Sequence, residues 1–301
     1  MKYLIQTSGL DFQYSKHKKI LENLSINVPK GSIYGFLGPN GAGKSTTMRL
    51  LTGIIPDDTN SISLFGSSIN EQLPYVFEKV GSLVESPALY LHLSGYDNLK
   101  YIAILRKIDL SKIDEVLELV DLSYAKKQKA KQYSLGMKQR LAIAIALLSE
   151  PELLFLDEPV NGLDPNGIVD IRKLLVKINK EKGVTIFVSS HLLSEIEKMC
   201  THVGIISKGV LKFEGTTDAL SKKFNKCKIQ ITIDDAENWL PKLGEMYKNV
   251  VLEEINKISI ELNNTSEIPA FVNSLIKDGA LLYELKIIEG LEQWFMNLTE
   301  N

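Results

Sequence analysis

Only two cysteines, Cys200 and Cys227, occur in 301 residues, too few for a disulfide framework or a cysteine metal cluster. Isolated thiols in a chain of this length read as core residues of a reduced, cytosolic protein. Long apolar runs are missing as well. The best, Leu141 to Leu148, falls well short of the roughly 18–20 residues that a membrane-spanning helix needs, and it reads as a buried helix. The amino-terminal stretch MKYLIQTSGLDFQYS has one lysine and no sustained apolar core, unlike a secretory signal. The expectation is therefore a cytosolic chain, with any membrane spans supplied by another protein. Neither sign of charge dominates: 35 Lys and Arg face 37 Asp and Glu, so no global basic field draws the chain to nucleic acid or to an anionic membrane. No internal repeat or low-complexity segment stands out. What is present is 44% hydrophobic and 24% charged, the balance of a globular protein with a full-sized core. The length allows one large domain with a small one, or two of ordinary size.

The first 35 residues read as β-rich, with strand-like composition at Met1–Ile5, Leu10–Tyr14 and Leu24–Val28 and a turn at Pro29–Ser32. Ser32–Leu37 is a short buried strand that runs into a glycine-rich segment, and a helical pattern follows from Lys44 to Thr52. Ile62–Phe65 and Ile69 suggest another short strand and turn. From about residue 87 to 148 helical periodicity takes over, at Asn98–Leu105, Lys112–Val120 and Lys138–Leu148, where Pro151 ends it. Leu153–Leu156 and Thr185–Ser189 look like strands buried on both faces, as in a parallel sheet. Between them Ile168–Asn179 is an amphipathic helix. After Gly215 the texture changes. Lys228–Ile233, Ala236–Met246, Val250–Glu254, Ile258–Leu262, Ile268–Lys277 and Leu281–Ile287 spell β-α-β-β-α-β, the order of a ferredoxin-like module. Leu291–Leu298 reads as a terminal helix, and Trp239 and Trp294 as core of this second domain.

Gly38-Pro39-Asn40-Gly41-Ala42-Gly43-Lys44-Ser45-Thr46 fits the phosphate-loop pattern G-x-x-x-x-G-K-[ST]. Its glycines let backbone amides turn inward around phosphate oxygens, and the helix from Lys44 adds its positive end. Lys44 can reach the β- and γ-phosphates, and Ser45 can place a hydroxyl on Mg²⁺. The buried strand before and the helix after are the context that this pattern requires. Asp157 and Glu158 end the apolar run Leu153–Leu156. By itself an acidic pair after a strand reads as the start of a solvated loop. Downstream of a phosphate loop, Asp157 is instead expected at the Mg²⁺, and Glu158 is expected to polarise a water attacking the γ-phosphorus.

Between these motifs lies Tyr133-Ser134-Leu135-Gly136-Met137-Lys138-Gln139-Arg140, which resembles a variant of the LSGGQ signature of ABC-type ATPases. The resemblance covers about residues 1–215. It implies an α/β P-loop core with an antiparallel β subdomain and a helical subdomain near 87–148, and it leaves 216–301 as an accessory α+β domain. It further implies a head-to-tail dimer, two copies of this chain, in which Ser134 and Gly136 of one subunit approach the γ-phosphate held by the other. A helix beginning near Lys138 would offer its amides to that anion. Asn161-Gly162-Leu163-Asp164 is similar to the D-loop, which places Asp164 near the same interface. His191 resembles the switch histidine, and Tyr14 the aromatic that stacks on adenine; His92 and His202 have no such context. Glu85 stands where the Q-loop of the family has glutamine. A carboxylate is a better ligand for a hard cation, yet it repels the γ-phosphate unless Mg²⁺ lies between them.

Glu85, the SLGMKQR signature and a length near 300 residues together resemble the bacitracin-resistance and lantibiotic-immunity ATPases. The implied protein hydrolyses ATP with Mg²⁺ and sits on the inner face of the cell membrane through a separate permease. Export of a peptide antibiotic or lantibiotic is the implied task, with no nucleic acid partner. Two other readings stand beside it: an exporter ATPase for different cargo, and a soluble ABC ATPase working on ribosomes or DNA. Against the last, there is a single ATPase core and no coiled-coil insertion.

Overall fold

The computed structural model describes residues 2–15, 18–85, 88–223, 227–289 and 295. It divides into two compact units, 1–215 and 216–301. In the first, β1 (Tyr3–Thr7), β2 (Leu10–Ser15), β3 (Lys18–Leu24), β4 (Asn27–Pro29) and β5 (Ile33–Leu37) lead into α1 (Lys44–Leu51). Next come β6 (Ile62–Leu64), β7 (Ser67–Ser68), α2 (Ile69–Gln72) and β8 (Val80–Leu83). Three helices follow: α3 (Gly95–Arg106), α4 (Ser111–Leu119) and α5 (Leu135–Leu147). The unit closes with β9 (Leu153–Leu156), α6 (Pro165–Lys182), β10 (Thr185–Ser190), α7 (Leu193–Met199), β11 (His202–Ser207) and β12 (Val210–Thr216).

The centre of this unit is a six-stranded sheet in the order β12-β11-β5-β10-β9-β8, and from β11 to β8 its neighbours run parallel. Every residue of β5, β9 and β10 is buried, which is why β5 and β9, and Ile186–Val188 of β10, read as apolar runs rather than alternating ones. Phe187 binds the strands laterally. Its ring stacks on Tyr34 at 5.4 Å and meets Phe36 and Phe155 at 5.4 and 5.6 Å, and burying each such ring contributes about 1.5–3 kcal/mol. A second, four-stranded sheet, β4-β1-β6-β7, and the β2-β3 hairpin form the antiparallel part.

The strand expected at Leu24–Val28 is in fact a corner. Thr7 makes it: its hydroxyl donates to the Leu24 carbonyl at 2.8 Å and accepts from the Ile26 amide at 3.0 Å. β3 therefore ends and β4 begins inside a run of uniform strand-like composition. The turn expected at Ile69 is the first turn of the short helix α2, because the Ser68 hydroxyl accepts from the Asn70 amide and caps it. Several elements had no counterpart in the sequence pattern, among them β3, β7, β8, α7, β11 and β12.

The second unit contains α8 (Thr217–Lys223), β13 (Cys227–Ile233), α9 (Ala236–Met246), β14 (Lys248–Glu254), β15 (Lys257–Leu262), α10 (Ile268–Lys277) and β16 (Leu282–Glu289). From β13 onward the order is β-α-β-β-α-β on one antiparallel sheet, β14-β15-β13-β16, the ferredoxin-like arrangement. Alternate residues of β13, Ile229, Ile231 and Ile233, join Leu243 of α9 and Phe271 and Leu275 of α10 in its core. Trp239 packs against that core. The expected terminal helix and Trp294 lie outside the described residues, apart from Phe295, which is helical and buried.

Candidate active site

Parallel register brings the chemistry to one edge of the central sheet. Leu156 of β9 lies opposite Val188 of β10, and Ser190 lies opposite Leu37 of β5. Three strand ends therefore sit side by side, and the residues leaving them are Asp157 and Glu158, His191, and the loop from Gly38. The carboxyl ends of parallel strands are where open α/β sheets form their ligand crevices.

The loop itself is pinned by close packing. A Cβ on Gly38 would stand 2.4 Å from the Ile206 carbonyl oxygen of β11, so no other residue fits there. Gly43, the residue before α1, has φ 110, in the left-handed region that side chains avoid. From this turn Lys44 points inward and is only 5% exposed. Its Nζ donates to the carbonyls of Gly38 at 2.8 Å and Pro39 at 3.2 Å, and lies 3.1 Å from Glu158 Oε1. The first amides of α1 have no partner within the helix and open toward the same loop, which suits an anion.

Glu158 has a left-handed backbone, φ 47, an unusual conformation for a side-chain-bearing residue. Its second oxygen lies 2.6 Å from His191 Nδ1, so the carboxylate bridges Lys44 and the histidine. Ser189 holds the pair of acids in register. Its hydroxyl donates to Asp157 Oδ1 at 2.5 Å and accepts from the Glu158 amide at 2.8 Å. Ser189 was not singled out from the sequence, although it stands two residues before His191 at the end of a buried strand.

Glu85 follows β8, which runs parallel to β9 and accepts from the Asp157 amide through Leu83 at 2.8 Å. Its own φ is 72. The carboxylate is paired with Arg49 of α1, and the same guanidinium donates to Tyr14 Oη at 3.1 Å. These contacts, the tyrosine first and the glutamate second, raise the Arg49 pKa further above its ordinary value. Tyr14 is exposed and meets Phe12 edge-on at 4.9 Å. Arg49 is the second residue that sequence reasoning passed over; only its spacing of four from Ser45, which puts both on one helix face, hints at it.

Ser134, Gly136 and Asp164 form a separate group. They line a hollow of about 610 Å³ together with Met137, Arg140 and Leu163. The helix here starts at Leu135, not near Lys138: Ser134 accepts from the Met137 amide at 3.2 Å and so caps α5 three residues earlier. Gly136 and Met137 consequently lie in its first turn. Asp164 caps α6 in the same manner, from the Gly167 amide. Among the described residues no hydrogen bond or ion pair joins this group to Lys44, Asp157, Glu158 or His191.

Among the described residues no three His, Cys, Asp or Glu side chains converge as a self-sufficient metal cluster. The available donors, the Ser45 hydroxyl and the Asp157 carboxylate, with Glu85 following β8, the neighbouring strand of the sheet, are hard oxygens. They match a cation such as Mg²⁺ that takes few protein ligands and fills its shell with phosphate and water.

Residues 21–161 match the ABC transporter family. Bacitracin transport ATP-binding protein BcrA of Bacillus licheniformis is 47% identical over 230 residues, covering 75% of this chain and 74% of that protein. Lantibiotic transport ATP-binding protein SrtF of Streptococcus pyogenes is 42% identical over 225 residues, covering 74% of this chain and 96% of that one. Of solved structures, cbiO1 of Clostridium perfringens, described as part of an ABC transporter complex, aligns with a TM-score of 0.68 at 27% identity, over 82% of this chain and 99% of that one. The chain belongs to the ABC transporter family as an ATP-binding subunit. It hydrolyses ATP and acts with a transmembrane partner; no helix among its described residues is long and apolar enough to cross a membrane.

Proposed function

We propose that this subunit drives export of a peptide antibiotic or lantibiotic, from the inner face of the cell membrane, as one half of a head-to-tail homodimer. Likeness to BcrA over 230 residues at 47% identity carries the cargo class, and SrtF supports it. Residues 1–215 act as the ATPase domain and 216–301 as an accessory domain.

In this reading the loop from Gly38 to Thr46 cradles the phosphates of ATP, and Lys44 turns its ammonium from Glu158 toward them. Tyr14 stacks on adenine. Ser45 and Asp157 hold Mg²⁺, with Glu85 beside it; the ion when bound neutralises phosphate charge and orients the terminal group. Glu158 accepts a proton from the attacking water, and His191, already 2.6 Å from its carboxylate, keeps that acceptor aimed. Ser134, Gly136 and Asp164 close on the nucleotide of the sister subunit, which accounts for their distance in bonding terms from Lys44.

The test pairs enzymology with resistance. Glu158→Gln is expected to bind ATP yet lose roughly 10²–10⁴-fold in turnover. Cells expressing the chain with its genomic neighbours should survive a panel of membrane-active peptides that kills cells carrying the Glu158→Gln form. Equal sensitivity of both strains to every peptide, with ATP hydrolysis intact in the parent, would remove the cargo class and leave the ATPase standing.

A further inference from the structure

Arg49 occupies a position that the reading above does not use. It lies one turn after Ser45 on α1, so its side chain leaves the phosphate-side helix on the face that carries the Ser45 hydroxyl. From there one guanidinium reaches two segments distant in sequence: Nη1 donates to the Tyr14 hydroxyl at 3.1 Å, and Nη2 pairs with Glu85. A planar guanidinium has donors in a fixed fork and can serve both partners at once, which an ammonium on a flexible stem cannot do as well. The pair is only partly exposed at the arginine, 32%, although Glu85 is 60% exposed.

Charge explains what this contact is for. Glutamate two residues past the end of β8 puts a full negative charge beside the place where a triphosphate is proposed to bind, and like charges at close range raise the cost of binding. Glutamine would not. A positive partner on α1 cancels that charge without removing the carboxylate.

We propose that Arg49 is the counter-charge of Glu85 and a positioning residue for nucleotide binding, holding the adenine-side tyrosine and the metal-side carboxylate by a single guanidinium. The proposal rests on the assignment of Tyr14 and Glu85 to the ATP site. Because both are tied to Arg49, a base stacked on Tyr14 steadies the guanidinium and so steadies Glu85, while loss of the arginine leaves Glu85 as an uncompensated anion.

The experiment uses the full-length chain and MgATP, with KM and kcat from steady-state hydrolysis and affinity from displacement of a fluorescent ATP analogue. Arg49→Met is expected to raise KM and weaken binding roughly three- to tenfold, with a smaller effect on kcat. Adding Glu85→Gln to that variant is expected to restore KM to within about twofold of the parent, since the charge needing cancellation is gone. Arg49→Lys, which keeps the charge and alters the structure least, is expected to hold KM near the parent value but to lose sensitivity to Tyr14→Phe. A KM unchanged by Arg49→Met overturns the proposal. So does a deficit that survives Glu85→Gln, or one equally severe in Arg49→Lys. Lys44→Ala separates the levels: if it abolishes binding while Arg49→Met does nothing, only the arginine's role falls, whereas binding indifferent to Lys44→Ala removes the ATP-site reading and this proposal with it.

Discussion

Ser189 is the residue on which the acidic pair turns. One hydroxyl satisfies an Asp157 oxygen and the Glu158 amide, and the second of these contacts holds a backbone in the left-handed region that would otherwise relax. A hydrogen bond to a charged group contributes about 1.5–3 kcal/mol. Ser189→Ala should therefore lower kcat by roughly 10- to 100-fold while ATP still binds, and a kcat equal to that of the parent would deny Ser189 any part in aiming Glu158. The acids themselves were legible in the sequence because they close an apolar run. Their support was not, since Ser189 is 32 residues away and reaches Asp157 only through the pairing of β9 with β10.

At the scale of elements, the apolar runs of β5, β9 and β10 announced a parallel sheet, and the glycine-rich loop between β5 and α1 announced what sits at its end. The strength of that loop is a packing matter. Gly38 lies against the backbone of β11, a strand that the sequence pattern did not reveal, and the 2.4 Å approach leaves no room for a methyl group. Gly38→Ala should cost about 1–3 kcal/mol, the usual penalty for overpacking, read as a lower urea midpoint together with weaker ATP binding. An unchanged midpoint would mean that β11 can retreat. The errors at this scale share one origin. Leu24–Val28 has strand-like composition, but the Thr7 hydroxyl breaks the ladder there. Ser134 starts α5 before its apolar periodicity begins.

Across the whole molecule, the two groups proposed to face nucleotide, one around Lys44 and one around Ser134, have no bond between them among the described residues. In the proposed assembly each is half of a triphosphate site, and a second copy placed head to tail would complete both. The Glu158→Gln chain carrying Ser134→Cys should cross-link to an Asn40→Cys copy when ATP and Mg²⁺ are added, and much less without them. A failure to cross-link under conditions where ATP is bound would overturn the head-to-tail assembly. The second unit is a different case. Its β-α-β-β-α-β order was readable because β13 alternates strictly, β14 and β15 are short β-branched runs between turns, and each helix has one apolar face. The match to SrtF covers 96% of that protein but 74% of this chain, so this chain carries sequence for which that relative has no counterpart.

The amino-acid order alone determined which chemical groups are present and the local frame of each: a lysine on a glycine-rich turn, acids at a strand tip, a serine and glycine ahead of a helix, an alternating second domain. Those features, the second domain's strict alternation at β13 among them, depend on neighbours a few residues apart, and spacing encodes them directly. Tertiary structure decided which group each one meets. Glu158 bridging Lys44 and His191, Ser189 bridging the acids, and Arg49 between Tyr14 and Glu85 all join residues separated by dozens of positions. Such meetings follow from strand order and register, which one residue's surroundings along the chain do not specify.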